Sequence, residues 1–350
     1  MAPSKALFPI VFLVAASLSF AQSRDPEDSW PAQNYRFRDA PAPSESSVSG
    51  PARYFAGQDG PVRPASPLAA GPVLFAQAQA GRGPGRMGLP RVQGQNPNGM
   101  HIYLWTGLKS HGEGQHDYPQ FLADWSKLLT ERGAVVDGAL HGPSSADLEH
   151  TDVVVIYKGD AAFLSDSEKA TLEAYVKRGG GLVSFHDSLC GPDPDFFATL
   201  VGGAKKHGQV NYTLDAPIPY TIVDKANPIM ADMSDITISD EAFFDMTWAK
   251  DPGIHVLATA KIPPTRSAGD HKGEIVPQIW TYEHELPGGQ PARAFVWMQG
   301  HTYANFGNYQ IQRMLLRGIA WAGKRPVDEL VNYVAPPRPG RGGTFAGRGN

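Results

Sequence analysis

Five side chains carry most of the chemistry this sequence can offer: His116, His186, His207, Glu241 and His301. Neutral imidazoles and a carboxylate are the donors that suit a divalent transition metal, and they also titrate where acid–base catalysis near neutral pH needs them. Both readings use the same atoms. His186 directly follows the apolar run Leu182-Val183-Ser184-Phe185, Phe295-Val296-Trp297-Met298 runs through Gln299-Gly300 into His301, and His207 comes after the Gly202-Gly203 turn. His116 sits in a loop after His101-Ile102-Tyr103-Leu104-Trp105, and Glu241 follows Ser239-Asp240. Asp117, Asp187 and Asp240 adjoin these residues, where acids more often cap helices and turns than react. His111, His141, His150, His255, His271 and His284 have no comparable placement and are expected to face solvent.

The elements that must position these groups are legible from periodicity. Residues 101–105 read as a buried strand, and residues 118–132 place Phe121, Leu122, Trp125, Leu128 and Leu129 at helical spacing, with Gly133 closing the helix. Residues 134–136 and 152–157 are further strands, the latter continuously apolar, as a strand covered on both faces must be. Ser165-Asp166-Ser167-Glu168 is a capping box opening a helix that carries Leu172, Tyr175 and Val176 on one face and ends at Gly179-Gly180-Gly181. Residues 182–185 form the fourth strand. Alternating strands and helices predict an α/β fold, a mostly parallel sheet with helices on both faces. Ligands in such sheets lie beyond the carboxyl ends of the strands. Trp105, Tyr157, Phe185 and Met298 should therefore end neighbouring strands on one edge.

The chain has 350 residues and a formal charge of −4 with His neutral, so no basic excess exists to neutralise a nucleic-acid backbone. Its single cysteine, Cys190, permits no intrachain disulfide and no Cys-based zinc cluster. Lys5, the apolar residues 7–20 and the small residues Ser19 and Ala21 read as a signal peptide, residues 1–21, cleaved before Gln22. A short membrane anchor is the competing reading, and no later segment approaches a membrane span. The mature protein is expected to be secreted or periplasmic. Residues 22–97 are rich in Pro, Ala, Ser and Gly and lack periodicity, the composition of a disordered linker; residues 68–78 within it are an apolar Ala-rich patch. An Arg/Gly-rich tail, 334–350, reads the same way. The folded domain is expected at 98–333.

The succession His116-Asp117-Tyr118, residues 152–157, Gly179-Gly180-Gly181 through His186, Gly202-Gly203 with His207, Asn227-Pro228-Ile229, Asp240-Glu241, Gly300-His301 and Gly318-Ile319-Ala320-Trp321-Ala322 resembles the ThuA-like (trehalose utilisation) family. The resemblance covers about residues 98–325. It implies a flavodoxin-like, class I glutamine amidotransferase-like fold and an association with trehalose or related glucosides. Two departures from these patterns bear on the chemistry. Where amidotransferases carry a nucleophilic Cys after the fourth strand this chain has His186, so Cys-dependent amidotransferase chemistry is not expected, and Cys190 reads as a small buried residue. Asn227 stands where the family commonly has His, in a slot that reads as structural because the residue before Pro is held extended.

A carbohydrate ligand makes His116, Asp117, Tyr118 and Tyr303 substrate-binding candidates, since aromatic rings beside the reactive loops could stack on a pyranose. His186, His207, Glu241 and His301 are then the catalytic candidates and the ligands of any divalent transition metal, with a sugar hydroxyl or the carbonyl of a 3-keto sugar as target. The alternative is a non-catalytic sugar-binding module serving a partner oxidoreductase. No glycine-rich dinucleotide fingerprint follows the first strand, which disfavours NAD chemistry, and a lone rim carboxylate disfavours a retaining glycosidase.

Overall fold

The computed structural model describes residues 98–335. The expected signal peptide, the 22–97 linker with its apolar patch and all but the first two residues of the 334–350 tail lie outside the described residues.

The first strand, β1 (His101–Thr106), pairs in parallel with β2 (Val135–Ala139) on one side and β3 (Val153–Tyr157) on the other. β3 pairs in parallel with β4 (Gly181–Phe185), and β4 with β12 (Ala292–Trp297). The order β2-β1-β3-β4-β12 is that of a doubly wound flavodoxin-like sheet. Beyond β12 the sheet continues through β11 (Ile275–His284), β10 (Ile254–Lys261), β7 (Ala216–Ile222) and β8 (Thr237–Asp240). Every pairing in that half is antiparallel. The mostly parallel sheet expected from sequence is thus the half that carries the rim residues. The antiparallel half arises where no crossover helix separates successive strands, since a parallel return needs a crossover of a dozen residues or more.

Side chains along the parallel strands alternate between two cores. Ile102, Leu104, Val153, Val155, Tyr157, Val183, Phe185, Phe295 and Trp297 face one; Tyr103, Trp105, Val154, Ile156, Leu182, Ala294, Val296 and Met298 face the other. Helix α1 (Tyr118–Glu131) lays Phe121, Trp125 and Leu129 on the first face, together with α5 (Tyr309–Ala322) through Ile311, Met314, Leu315 and Ile319. A one-turn helix, α2 (Ser145–Leu148), precedes β3. On the second face lie α3 (Asp166–Lys177), contributing Leu172, Tyr175 and Val176, and α4 (Pro194–Val201), contributing Phe197, Leu200 and Val201. Fully burying a side chain of this size stabilises the fold by about 1.5–3 kcal/mol relative to leaving it exposed.

Local signals act where the sequence places them. Ser165 caps α3 with the reciprocal Ser165–Glu168 bonds of a capping box, and Gly133, just after α1, takes φ +86°, which a side chain would resist. Asn227 is extended before Pro228 and its side chain accepts the Ile229 N–H at 3.0 Å. A short three-stranded sheet, β5 (Cys190–Gly191), β6 (Gly203–Lys206) and β9 (Thr247–Trp248), hangs below the rim. Two histidines expected in solvent are packed instead: His284 lies 4.1 Å above the Tyr282 ring, and His271 stacks on Phe244 at 4.4 Å. Their neighbours come from distant segments or from strand packing, which periodicity does not report.

Candidate functional site

β4 ends at Phe185, and the chain turns sharply into a 3-10 turn (His186–Leu189), with His186 itself at φ +53°. A side chain in this left-handed region costs of order 1–3 kcal/mol and persists only where surrounding contacts enforce it. The loop after β1 behaves likewise, with His111 at φ 65° and His116 at φ 45°. That loop is clamped to the one following β12. His116 N–H donates to the His301 carbonyl at 3.0 Å, and Tyr303 N–H donates to the Gly114 carbonyl at 2.8 Å.

Asp240 builds the third side of the site. Its buried carboxylate accepts from the backbone N–H groups of Glu241 (2.8 Å), Gly300 (3.1 Å), His301 (3.1 Å) and Thr302 (3.3 Å) and from Asn305 Nδ2 (2.7 Å). Burial pushes its pKa up to about 7 against these donors. Glu241 leaves β8, the sheet edge remote from β12, yet its carbonyl accepts from Gln299 Nε2 at 3.0 Å, and Gln299 Nε2 also reaches Gln278 Oε1 at 2.5 Å. This amide network returns the carboxylate to the rim.

The result is a convergence of imidazoles. His116 Nε2 lies 2.8 Å from His186 Nε2 and 3.0 Å from His301 Nδ1, and all three rings are buried. Glu241 stands beside them, 3.8 Å from His186 Nε2 and 3.6 Å from His301 Nδ1. The outer nitrogens have polar partners too. His186 Nδ1 is 3.3 Å from the Met298 carbonyl, which can only accept, so a neutral His186 ring carries its proton on Nδ1 and leaves Nε2 bare. His301 Nε2 lies 3.6 Å from the Asp215 carboxylate. Ser110 Oγ lies 3.0 Å from His116 Nδ1 and 3.1 Å from His111 Nδ1, bridging the two rings.

Three imidazole nitrogens meeting at hydrogen-bond distance share a proton or hold a cation. Burial disfavours the proton: it holds His116 and His186 well below the ordinary imidazole pKa and His301 down at about 4, each ring lowered further by its neighbours, while Asp187 and Asp215 oppose the shift at His186 and His301. Three converging imidazole nitrogens with polar partners on their other ring nitrogens could hold a metal ion. Tetrahedral bonds of about 2.0–2.1 Å place ligand nitrogens about 3.3 Å apart, a few tenths of an ångström beyond the two spacings observed. Burial also raises the Glu241 carboxyl well above its usual range, with Asp187, Asp240 and Asp215 adding to the shift and Lys205 opposing it. A bound cation would reverse that logic and favour the carboxylate.

Of the predicted residues, the structure brings together His116, His186, Glu241 and His301. His207 belongs to a separate cluster, with Nδ1 3.0 Å from Asp160 Oδ1 and 3.9 Å from Cys190 Sγ. Asp117 pairs with Lys109 at 2.6 Å. Tyr118 is buried in the core with its ring edge-on to Tyr157, and its hydroxyl has no hydrogen-bond partner among the described residues. Tyr303 sends its hydroxyl to Asp124 on α1 at 2.7 Å rather than towards the histidines. Tyr303 is drawn away by its packing on Phe306, whereas the Tyr118 ring, edge-on to Tyr157, also lies 5.2 Å from the His116 ring.

Three participants escaped the sequence reading. His111, expected in solvent, meets the His116 ring edge at 3.9 Å, and its place in the same loop was the available signal. Asp215 reaches His301 from the segment before β7 and carries no local signal. Lys205 is buried, bonds Asp187 Oδ1 at 2.8 Å and lies 3.9 Å over the Phe243 ring. This pairing holds Asp187 down at about 2 despite burial and raises the lysine, so both stay charged next to His186. Two adjacent lysines end the strand Gly203-Ala204-Lys205-Lys206, and nothing local marks which of them is buried.

Comparison with known proteins places this geometry in a family. The ThuA family, described as trehalose utilisation, matches residues 106–322, and the chain belongs to it. No curated protein matches. Among solved structures, a ThuA-like protein from Bacteroides uniformis ATCC 8492 is 17% identical at a TM-score of 0.48, covering 67% of this chain and 95% of that one. A cytoplasmic protein of Salmonella typhimurium is 14% identical at a TM-score of 0.39, covering 68% and 100%. The cold-adapted β-galactosidase from Rahnella sp. R3 is 14% identical at a TM-score of 0.40, with 65% of this chain matching 32% of the enzyme.

Proposed function

We propose that this chain is a secreted or periplasmic carbohydrate-active protein of the class I glutamine amidotransferase-like superfamily, acting on trehalose or a related glucoside, including 3-keto forms. The observation that carries the reading is the meeting of His116 Nε2, His186 Nε2 and His301 Nδ1 at 2.8 and 3.0 Å beside the buried Glu241. These three nitrogens would hold a divalent transition metal, with Glu241 as a further oxygen donor or as the proton-transferring group. A metal bound there polarises a sugar carbonyl or lowers the pKa of a hydroxyl. His186 occupies the strained turn after β4 where amidotransferases carry Cys, so the sharp backbone presents an imidazole instead of a thiol. Glu241 would serve the metal as a carboxylate or pass a proton to and from the sugar oxygen, while the buried Lys205–Asp187 pair holds a fixed dipole beside it. The unpartnered Tyr118 hydroxyl is a buried donor that a bound group or water would satisfy.

The test uses the purified protein. Elemental analysis should find at least one equivalent of transition metal, and product should form from trehalose, another glucoside or their 3-keto derivatives. His186→Ala, checked for folding by circular dichroism, should lose metal and turnover, since an acid–base group or ligand contributes about 10²–10⁴ in rate. Sugar binding without product in either protein would identify a binding module for a partner oxidoreductase. Neither binding nor turnover would remove the carbohydrate reading.

A further inference from the structure

The cluster that took His207 away from the rim is built from three parts of the chain. Asp160 closes the loop after β3 at φ +52°, a conformation that costs an aspartate about as much as it costs the rim histidines. Its backbone N–H donates to the Asp187 carbonyl at 3.1 Å. Cys190 opens β5 and pairs in register with Lys205 of β6, while the His207 N–H bonds the Gly191 carbonyl at 2.9 Å. The parallel β5–β6 pair therefore fixes Cys190 and His207 relative to each other, and the strained loop delivers Asp160 onto them.

We propose that Asp160, Cys190 and His207 form a second metal site, distinct from the histidine cluster and suited to a thiophilic divalent cation such as Zn²⁺. Cys190 Sγ, His207 Nδ1 and one Asp160 oxygen all lie within 4.8 Å of one another. Tetrahedral zinc with bonds of about 2.0–2.3 Å sets such atoms about 3.3–3.6 Å apart. The observed Nδ1···Oδ1 and Nδ1···Sγ separations of 3.0 and 3.9 Å bracket that range. A Cys-His-Asp proton relay does not fit, because thiol and carboxylate address the same ring nitrogen, whereas a relay needs one on each side of the imidazole. Convergence on a single nitrogen is chelate geometry. Sulfur, nitrogen and oxygen in one set favour zinc over the harder magnesium or calcium. Cys190 is buried, while the His207 side chain is 33% exposed and the Asp160 side chain 16%, so a cation reaches the thiol from the His207 side and water can complete its shell.

Binding is balanced by proton release. The Cys190 thiol loses its proton to solvent as the sulfur–metal bond forms. The Nδ1 proton that bonds Asp160 moves to Nε2, or leaves for solvent when the ring is an imidazolium. The adjacent Lys205 is neutralised by Asp187 and adds no net charge.

This inference stands apart from the function proposed above, and cobalt separates the two, since only a cysteine ligand gives a thiolate-to-cobalt charge-transfer band in the near-ultraviolet. Metal-free full-length protein titrated with Co²⁺ should develop that band within two equivalents, the rim cluster taking its own share, and Zn²⁺ should abolish it. His116→Ala/His301→Ala, which empties the rim cluster, should keep the band. Cys190→Ser and His207→Ala should lose it, and Asp160→Asn should weaken cobalt binding at least about tenfold. His207→Ala retains the thiol and changes a half-exposed side chain, so it reports on coordination even if Cys190→Ser fails to fold. A wild-type titration without the band, or a band that survives in His207→Ala, would overturn the proposal.

Discussion

The buried rim imidazoles set the behaviour of single residues. His301 is held at about 4 by desolvation, below the ordinary value of 6.5. Between those two values the unfolded chain binds a proton that the folded metal-free protein refuses, so stability is lost as pH falls through this window. The full difference, of order 3 kcal/mol, is reached near pH 4. His301→Asn should flatten the fall in melting temperature of the metal-free protein between pH 6.5 and 4, and an unchanged slope would contradict the assignment. Asp240 makes a different contribution. Its carboxylate satisfies five donors, and Asp240→Ala would leave several buried N–H groups unpaired at about 1–3 kcal/mol each. That variant should lose at least about 3 kcal/mol in denaturant melts and release rim metal, because Gly300 and His301 lose their anchor.

Strands transmit position from one end of the sheet to the other. Gly181 begins β4, and a Cβ there would come 2.3 Å from the Ala322 carbonyl oxygen of α5, a backbone atom that cannot rotate away. Gly181→Ala therefore forces β4 and α5 apart, costing about 1–3 kcal/mol, and shifts His186 at the far end of the same strand. Metal affinity should fall although no ligand is changed. Ser165→Ala removes the capping box of α3 on the opposite face and should cost about 1 kcal/mol with affinity unaltered. If both variants changed affinity equally, it would be tracking global stability rather than strand position.

For the molecule as a whole, the rim joins segments more than a hundred residues apart, since His301 Nδ1 meets His116 Nε2 across 185 positions of sequence. A ligand that ties such segments together in the folded state alone stabilises by mass action. At one hundred times its dissociation constant the metal should add about 2.7 kcal/mol. Chelation should lower the melting temperature and re-addition restore it, whereas a transition indifferent to chelator would separate metal from fold. Among the described residues no helix is long and apolar enough to cross a membrane.

Periodicity and caps determined the parallel strands, α1, α3 and the shared edge on which His186 and His301 emerge, because those signals are local and the doubly wound sheet turns order along the chain into position. The same reasoning left strand direction beyond β12 unread, since it depends on connections that carry no periodic signature. It also grouped His207 with His186. Both follow a strand or turn in the same half of the chain, but the register of β5 against β6 turns His207 towards Asp160 and Cys190. Asp215, Ser110 and Lys205 entered the sites only in the tertiary structure. The polar partners of the outer ring nitrogens, a carbonyl, a hydroxyl and a carboxylate, come from residues 298, 110 and 215. The residues that can do chemistry are written in the sequence, but their protonation and their partners are set by burial and by contacts between segments remote along the chain.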